Sequence, residues 1–430
     1  MKRVASIIAL ITVSIVLNAQ YSEHVAYLAS DSLKGRLAGS SGEKAAAEYM
    51  YDCLYEAGVT MLTPRLGQDF SIVTGADTIH SLNVVGVVEG YDPVLKNQYI
   101  VVGANLDHLG TNVLTVDGRP VRQIFPGAND NASGIASVIE VAKRVASSSF
   151  FFRRSVVFVG FGAKEQGMAG SWYFVNRAFQ DIDSVSMMLE FRMVGGSGPE
   201  SQFLYYTGVP NPELNRIVYS LADVGAFYTP SMGEGVVPIG DYLPFYEKNI
   251  PVMLLTSGTD RNNRTTRDKV DLLDYQTMDY ICDFAYNFIR EAANQDLMIE
   301  RPLNVEESDS NGGGTYGGER IYAPFEVDVA PEFFKGDAGT FLTEWVYTYL
   351  RYPDIPLREG VSGTVTVEFI VEKDGSVTNV RAVSGNDQYL EDEAVRVVSA
   401  SPKWKPGLLG GEKVRVKYSI PVEFRLKKRK

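Results

Sequence analysis

Histidine and cysteine are scarce in this chain of 430 residues: the histidines are His24, His80 and His108, and the cysteines are Cys53 and Cys282. Three scattered imidazoles are too few to build a histidine-based metal centre, and the two cysteines lack the clustered spacing of a zinc site. Cys53 falls on an apolar helical face with Ala46, Met50 and Leu54, and Cys282 on one with Met278, Ala285 and Ile289. The two either pair across the fold, closing a long loop, or stay as buried thiols. Excess positive charge is also missing. A net charge of -12 argues against general nucleic-acid binding and says little about peptide partners. No apolar run reaches the roughly 20 residues of a membrane span: Val4–Leu17 falls short, and later runs such as Ser155–Gly160 are strand-length. Lys2 and Arg3 precede that first run, and small and polar residues follow it, so residues 1–20 read as a signal peptide cut near Ala19 or Gln20. No cysteine follows for lipid attachment. The expectation is an exported, soluble, periplasmic protein, possible association with the outer membrane included.

What remains is an ordinary globular composition, 45% hydrophobic and 22% charged, long enough for two or three domains. Residues 42–59, GEKAAAEYMYDCLYEAGV, have the spacing of an amphipathic helix ending near Gly58. Strand patterns follow at Leu82–Val88, Tyr99–Asn105, Val156–Gly162, Ser186–Arg192, Phe203–Thr207 and Pro251–Thr256. Helical patterns lie at Ala132–Ala146, Ser171–Phe179, Asn211–Asp223 and Asp271–Ala293. Buried strands alternating with helices predict an α/β three-layer sandwich with a mixed, mostly parallel sheet. In such sheets the site lies beyond the carboxyl ends of the strands.

Five motifs sit at or just after such ends: GANLDHLG (103–110), GANDNASG (127–134), FVGFGAKEQGMAGS (158–171), MLEFRMVG (188–195) and NNRTTRDKVD (262–271). In order and spacing they resemble the co-catalytic dizinc aminopeptidases, the family of bacterial leucyl aminopeptidases and aminopeptidase Y, over roughly residues 24–295. The resemblance places the carboxylate that bridges both zinc ions at Asp130 and a terminal zinc ligand at Glu165. It places the first histidine ligand on Asn105, the aspartate ligand on Arg192, the last histidine ligand on Arg264 and the general base on Lys164. Asp107 falls where the family keeps a residue that orients the first histidine.

Arginine has no acceptor lone pair and stays charged, so Arg192 and Arg264 cannot ligate a cation. Lys164 could act as a base only if its pKa fell by several units. Asp107, Asp130 and Glu165 balance Lys164, Arg192 and Arg264 in charge, which predicts a salt-bridge cluster where the family holds metal. On this reading no cofactor is expected, zinc having been lost, and no residue is expected to be catalytic. Glu190, two residues before Arg192 on the same strand face, is the remaining side chain that could coordinate something.

Residues 299–321 contain SDSNGGGTYGG and read as a flexible linker between a first domain at 21–298 and a second at 322–430. In the second domain a helical TFLTEWVYTYL, the strands Thr364–Val371 and Val377–Ser384 around the turn Lys373-Asp374-Gly375, a helix Tyr389–Ser399, and PKWKPG before a last strand Val414–Arg425 predict a small α+β module. Tyr352-Pro353, the V-x-V-x-F-x-V-x-x-D-G strand and P-x-W-x-P-G followed by I-P-V-x-F resemble the TonB C-terminal domain. Trp404 reads as a packing anchor, and Lys427–Lys430 as a solvated end. That resemblance implies capture of an extended peptide or cell-envelope protein by strand addition. The last strand is the candidate edge, with Lys413, Arg415 and Lys417 guarding it. The combined reading is a non-catalytic, peptide-binding envelope scaffold; an active zinc exopeptidase with unusual ligands and a purely structural envelope protein are the alternatives.

Overall fold

The computed structural model describes residues 21–300 and 321–426, apart from 75–76, 117–118, 198–200, 208–210, 224–228, 234–239, 259–260, 323, 325, 335, 360 and 385–386. The signal-peptide reading, nearly all of the linker and Lys427–Lys430 lie outside the described residues. The chain forms two compact units divided between Val305 and Glu306, with the short segment Ile72–Thr78 grouped with the second.

The strands of the first sheet are β1 (Thr60–Met61), β2 (Gln68–Thr74), β3 (Asp77–Val88), β4 (Tyr99–Asn105), a separate hairpin β5 (Thr111–Val116) and β6 (Arg119–Ile124), then β7 (Ser155–Phe161), β8 (Val185–Phe191), β9 (Leu204–Thr207), β10 (Ser231–Met232) and β11 (Val252–Thr256). They pair in the order β1-β3-β7-β4-β8-β11-β9-β10, with β2 alongside β3. β7, β4, β8 and β11 are parallel to one another, while β3 and β9 join them antiparallel. Every residue of β7 and β8 is buried, as strands covered on both faces must be. One cover consists of helices Ser41–Glu56, Ser133–Ser147 and Tyr275–Asn294, whose Met50, Ile139 and Phe284 share one core. Phe174, Tyr242 and Phe245 seal the opposite face. Ser40 and Asp274 cap two of these helices, each accepting two backbone N–H bonds. Cys53 and Cys282 are both free thiols, and Cys282 is fully buried.

Two predicted helices differ in detail. The pattern at Ser171–Phe179 begins as helix at Ala169 and widens over Phe174–Ala178. The pattern at Asp271–Ala293 breaks into a short turn at Val270–Leu272 and a helix that starts only at Tyr275. β2 and the β5–β6 hairpin have no counterpart in the sequence reading. Among the described residues no helix is long and apolar enough to cross a membrane.

The second unit contains β12 (Ile321–Tyr322), β13 (Gly363–Val371), β14 (Val377–Ser384), β15 (Gly407–Leu409) and β16 (Glu412–Phe424). Their order is β12-β16-β13-β14, with β15 paired to β16. Val365, Val367 and Phe369 of β13 pack against Leu390, Val397 and Val398 of the helix Gln388–Ser399. Trp404 is 3% exposed, ringed by Phe333, Phe341, Phe369 and Tyr418 at 5.0–5.7 Å between centroids, with its Nε1 donating to Ser401 Oγ. It is a core residue.

The last strand is only in part the open edge that the sequence suggested. β13 pairs with it from Val416 to Phe424, and β12 and β15 take Glu412 to Val416. Two of the three cations, Arg415 and Lys417, are engaged by carboxylates. Arg415 is buried, its guanidinium on Glu372 at 2.7 Å, and Lys417 Nζ lies 3.7 Å from Glu368 Oε1. Alternation along the strand puts these side chains on one sheet face, where the carboxylates of β13 and its turn engage them.

Candidate active site

Four parallel strands end side by side, and their exits carry the site. β4 ends at Asn105, β7 leads through Gly162 and Ala163 to Lys164 and Glu165, and β8 leads to Arg192. The turn before helix Ser133–Ser147 carries Asp130, and the chain after β11 carries Arg264. Convergence beyond the carboxyl ends follows from the parallel topology.

Glu165 is the hub. Arg264 donates to both of its oxygens, at 3.0 and 2.7 Å, and Lys164 Nζ lies 3.1 Å from Oε1. Asp130 stands farther off, 4.0 Å from Lys164 Nζ and 3.9 Å from Arg264. Burial opposes ionisation of Glu165, but Lys164 and Arg264 outweigh it and hold the carboxyl well below the usual range. Asp130 is lowered in the same way, burial being outweighed by Lys164, His108 and Arg192. Burial would discharge Lys164, yet Glu165 and Asp130 raise its pKa. An ammonium held in that state is no general base.

Asp107 behaves differently from the charge count made on the sequence. Its two oxygens accept the backbone N–H groups of Lys164, at 2.8 Å, and Glu165, at 3.0 Å. Asp107 therefore fixes the turn that presents both residues and forms no ion pair among the described residues. Burial, Glu43 and Glu165 push its carboxyl well up. Asn105 accepts a bond from Asn131 Nδ2 at 3.0 Å and donates to the Asp107 carbonyl at 2.9 Å. Arg192 acts on Asp130, Glu190 and Asp241 through its charge.

Asp268, Arg36 and Asp241 escaped the sequence reading, and His108 and Glu190 lie beside them. Asp268 accepts the N–H groups of Asn129 and Asp130 at 2.7 and 3.0 Å, setting the direction of the Asp130 carboxylate. It lies in NNRTTRDKVD, so its motif was visible but its task was not. Arg36, fully buried, donates to the carbonyls of Leu28, Leu106, Pro126 and Gly127, tying the loops of the first two motifs together. Nothing in its surroundings in the sequence marks it. His108 is buried beside Asp130, pushed down to about 4 by burial, with neither ring nitrogen hydrogen-bonded within the described residues. Glu190 accepts from Tyr242 N–H at 2.9 Å, and neighbouring Asp241 accepts from Ser171 Oγ at 2.6 Å. Burial, and then Glu190, push Asp241 up to about 8.

Comparison with known proteins follows from this geometry. Residues 83–289 match the family described as Peptidase family M28, and residues 348–426 match Gram-negative bacterial TonB protein C-terminal. The leupeptin-inactivating enzyme 1 of Streptomyces exfoliatus is 28% identical over 234 residues, 54% of this chain and 47% of that one. Aminopeptidase Y of Saccharomyces cerevisiae is 22% identical over 242 residues, 54% and 42% of the two chains. The chain thus spans about half the length of these curated relatives. Among solved structures, LapA of Legionella pneumophila superposes with a TM-score of 0.51 at 23% identity, covering 65% of this chain and 73% of that one. BSAP, a zinc aminopeptidase from Bacillus subtilis, does so with a TM-score of 0.51 at 14% identity, covering 67% and 98%.

These likenesses correct the expectation that no cofactor is involved: the matched family is a peptidase family and BSAP is described as a zinc aminopeptidase, so zinc is the metal against which the site has to be measured. Measured so, the side chains as arranged do not fit a two-zinc centre. Glu165 is gripped by Arg264, the amide of Asn105 is engaged with Asn131, and Arg192 and Arg264 offer no lone pair. The chain carries a peptidase family M28 domain, with the mixed-sheet fold of the zinc aminopeptidases, followed by a TonB C-terminal domain.

Proposed function

We propose that this protein is an exported component of a Gram-negative cell envelope that binds peptides or extended protein segments and does not cleave them by the two-metal route. The carrying observation is the ion-pair cluster: Glu165, read as the terminal ligand position, is held by Arg264 and Lys164 at 2.7–3.1 Å, and Lys164 falls on the position read as the general base. A carboxylate cannot serve a metal and a forked guanidinium at once. The TonB-like unit supports an envelope role, since strand addition to a sheet margin is a general mode of peptide capture. Residues 1–20 act, on this proposal, as an export signal and leave a periplasmic product.

An active exopeptidase is the second reading. The relatives are named as a leupeptin-inactivating enzyme and an aminopeptidase, and on the motif resemblance Asp130 and Glu165 keep carboxylates that such chemistry uses. Retention separates the two readings. A mixture of short peptides passed over the immobilised full chain, with zinc present, is to be held in part and released with masses unchanged. Release of the retained peptides shortened by their first residue decides for the exopeptidase. No retention at all decides for a structural role.

A further inference from the structure

The margin of β16 that faces away from β13 is partly occupied by the chain itself. Ile321 and Tyr322 of β12 pair in parallel with Arg415 and Val416. Val416 pairs on its other side with Val371 of β13, so β12 lies on the outer margin, where an added strand would pair.

The rest of that margin is short. In an antiparallel pair successive backbone N–H groups alternate in direction. Glu423 donates its N–H to the Tyr347 hydroxyl at 3.4 Å, so position 423 faces outward, and Pro421, Ser419 and Lys417 face outward with it. Pro421 has no N–H, which is why a proline is tolerated inside this strand and why no partner can accept a bond there. Outward positions 421 and 423 are therefore closed to an incoming strand. Arg415 to Ser419 remain, and β12 covers the beginning of that run. The opposite margin of the sheet, β14, is blunted: Asn379 has φ +52, and the register with β13 shifts between Glu368 and Ile370. A bulged edge is a poor template for pairing.

We propose that β12 is a built-in occupant of the docking margin, and that a partner binds by displacing Ile321–Tyr322 and adding parallel to β16. This rests on reading the second unit as a strand-adding module. The partner is an extended peptide segment with an aliphatic and an aromatic residue in succession, the chemistry that β12 itself presents. Tethering gives β12 an effective concentration of about millimolar, while its two residues offer few bonds. A free peptide gains by pairing over the whole run from Arg415 to Ser419.

The test uses a fluorescein-labelled synthetic peptide, ERIYAPFE, which copies residues 319–326, titrated into the full chain. Ile321→Pro with Tyr322→Pro should open the margin and bind this probe at least about tenfold more tightly than wild type. Adding Ser419→Pro to the open variant removes one outward donor and should abolish the gain, with the second unit's thermal transition retained. Equal affinity of wild type and the open variant overturns the gate while leaving strand addition standing. No binding by either, with both folded, overturns strand addition and the gate with it.

Discussion

Arg264 holds Glu165 by both carboxylate oxygens, at 3.0 and 2.7 Å. Bidentate pairs of this kind combine charge with fixed geometry and are the stronger form of ion pair. Their stability depends on what is left when one member goes. The side chain of Lys164 is 7% exposed and that of Arg264 is 43% exposed, so loss of Glu165 strands the lysine more than the arginine.

Glu165→Gln should therefore destabilise the larger unit by about 2–3 kcal/mol, below the 3–5 kcal/mol typical of a fully buried pair because Arg264 can return to water. Lys164→Met added to Glu165→Gln should recover part of that loss. Calorimetry of the larger unit's transition reads both values, and a loss under about 0.5 kcal/mol, the range of an exposed pair, would contradict the hub role of Glu165.

Restoring the family's residues together should restore its chemistry. The variant Asn105→His, Lys164→Glu, Arg192→Asp, Arg264→His should hydrolyse amino-acyl p-nitroanilides in a metal-stimulated manner, since Asp130 and Glu165 are in place. Each single reversion should stay at background, because three of the four positions still lack the needed group. A folded fourfold variant without metal-stimulated turnover would show the assignment of positions to be wrong.

Asp241 supplies a pH dependence. Its folded pKa is pushed up to about 8 by burial, then by Glu190, against an unfolded value of about 3.9. Between those values the folded state binds a proton that the unfolded chain has released, so stability falls as pH rises from about 4 to about 8. Asp241→Asn keeps an oxygen to accept from Ser171 and has no proton to lose. Its melting temperature relative to wild type should rise between pH 5 and pH 8.5; parallel profiles would mean that Asp241 titrates normally.

Trp404→Ala should cost the second unit about 3–5 kcal/mol, the usual range for a large aromatic removed from a packed core. Its thermal transition should move well below that of the larger unit. A change within about 0.5 kcal/mol would mark Trp404 as a surface residue.

Much of this fold is legible in the sequence where local pattern and burial agree. The strand Tyr99–Asn105 and the hairpin partner Val377–Ser384 match their predicted spans residue for residue, because fully buried and tightly turned segments leave strong local signals. β2 and the β5–β6 hairpin were missed although each pairs with its neighbour in sequence: Gln68–Thr74 and Arg119–Ile124 mix charged and polar residues, and in the latter a proline, into their runs, which weakens the strand signal. Lys164, Glu165 and Arg264 could be named from motif spacing, and the structure brings them together. The task of Asp107 could not be named, since its partners are backbone N–H groups that only a folded turn presents. Arg36 reaches four carbonyls from three separate segments, a relation no local pattern encodes. The outer margin of β16 is a case where a signal was present and unread: a proline at 421, inside a strand taken for an open edge, already limits what can pair there.

The central claim is that Lys164 and Arg264 replace the chemistry of the site, and turnover tests it most directly. Wild-type protein and Glu165→Ala are incubated side by side with leucine p-nitroanilide and added zinc, and the initial rates are compared. The account predicts rates at the uncatalysed background for both. A wild-type rate well above background that disappears in Glu165→Ala would contradict it and make this chain a working aminopeptidase.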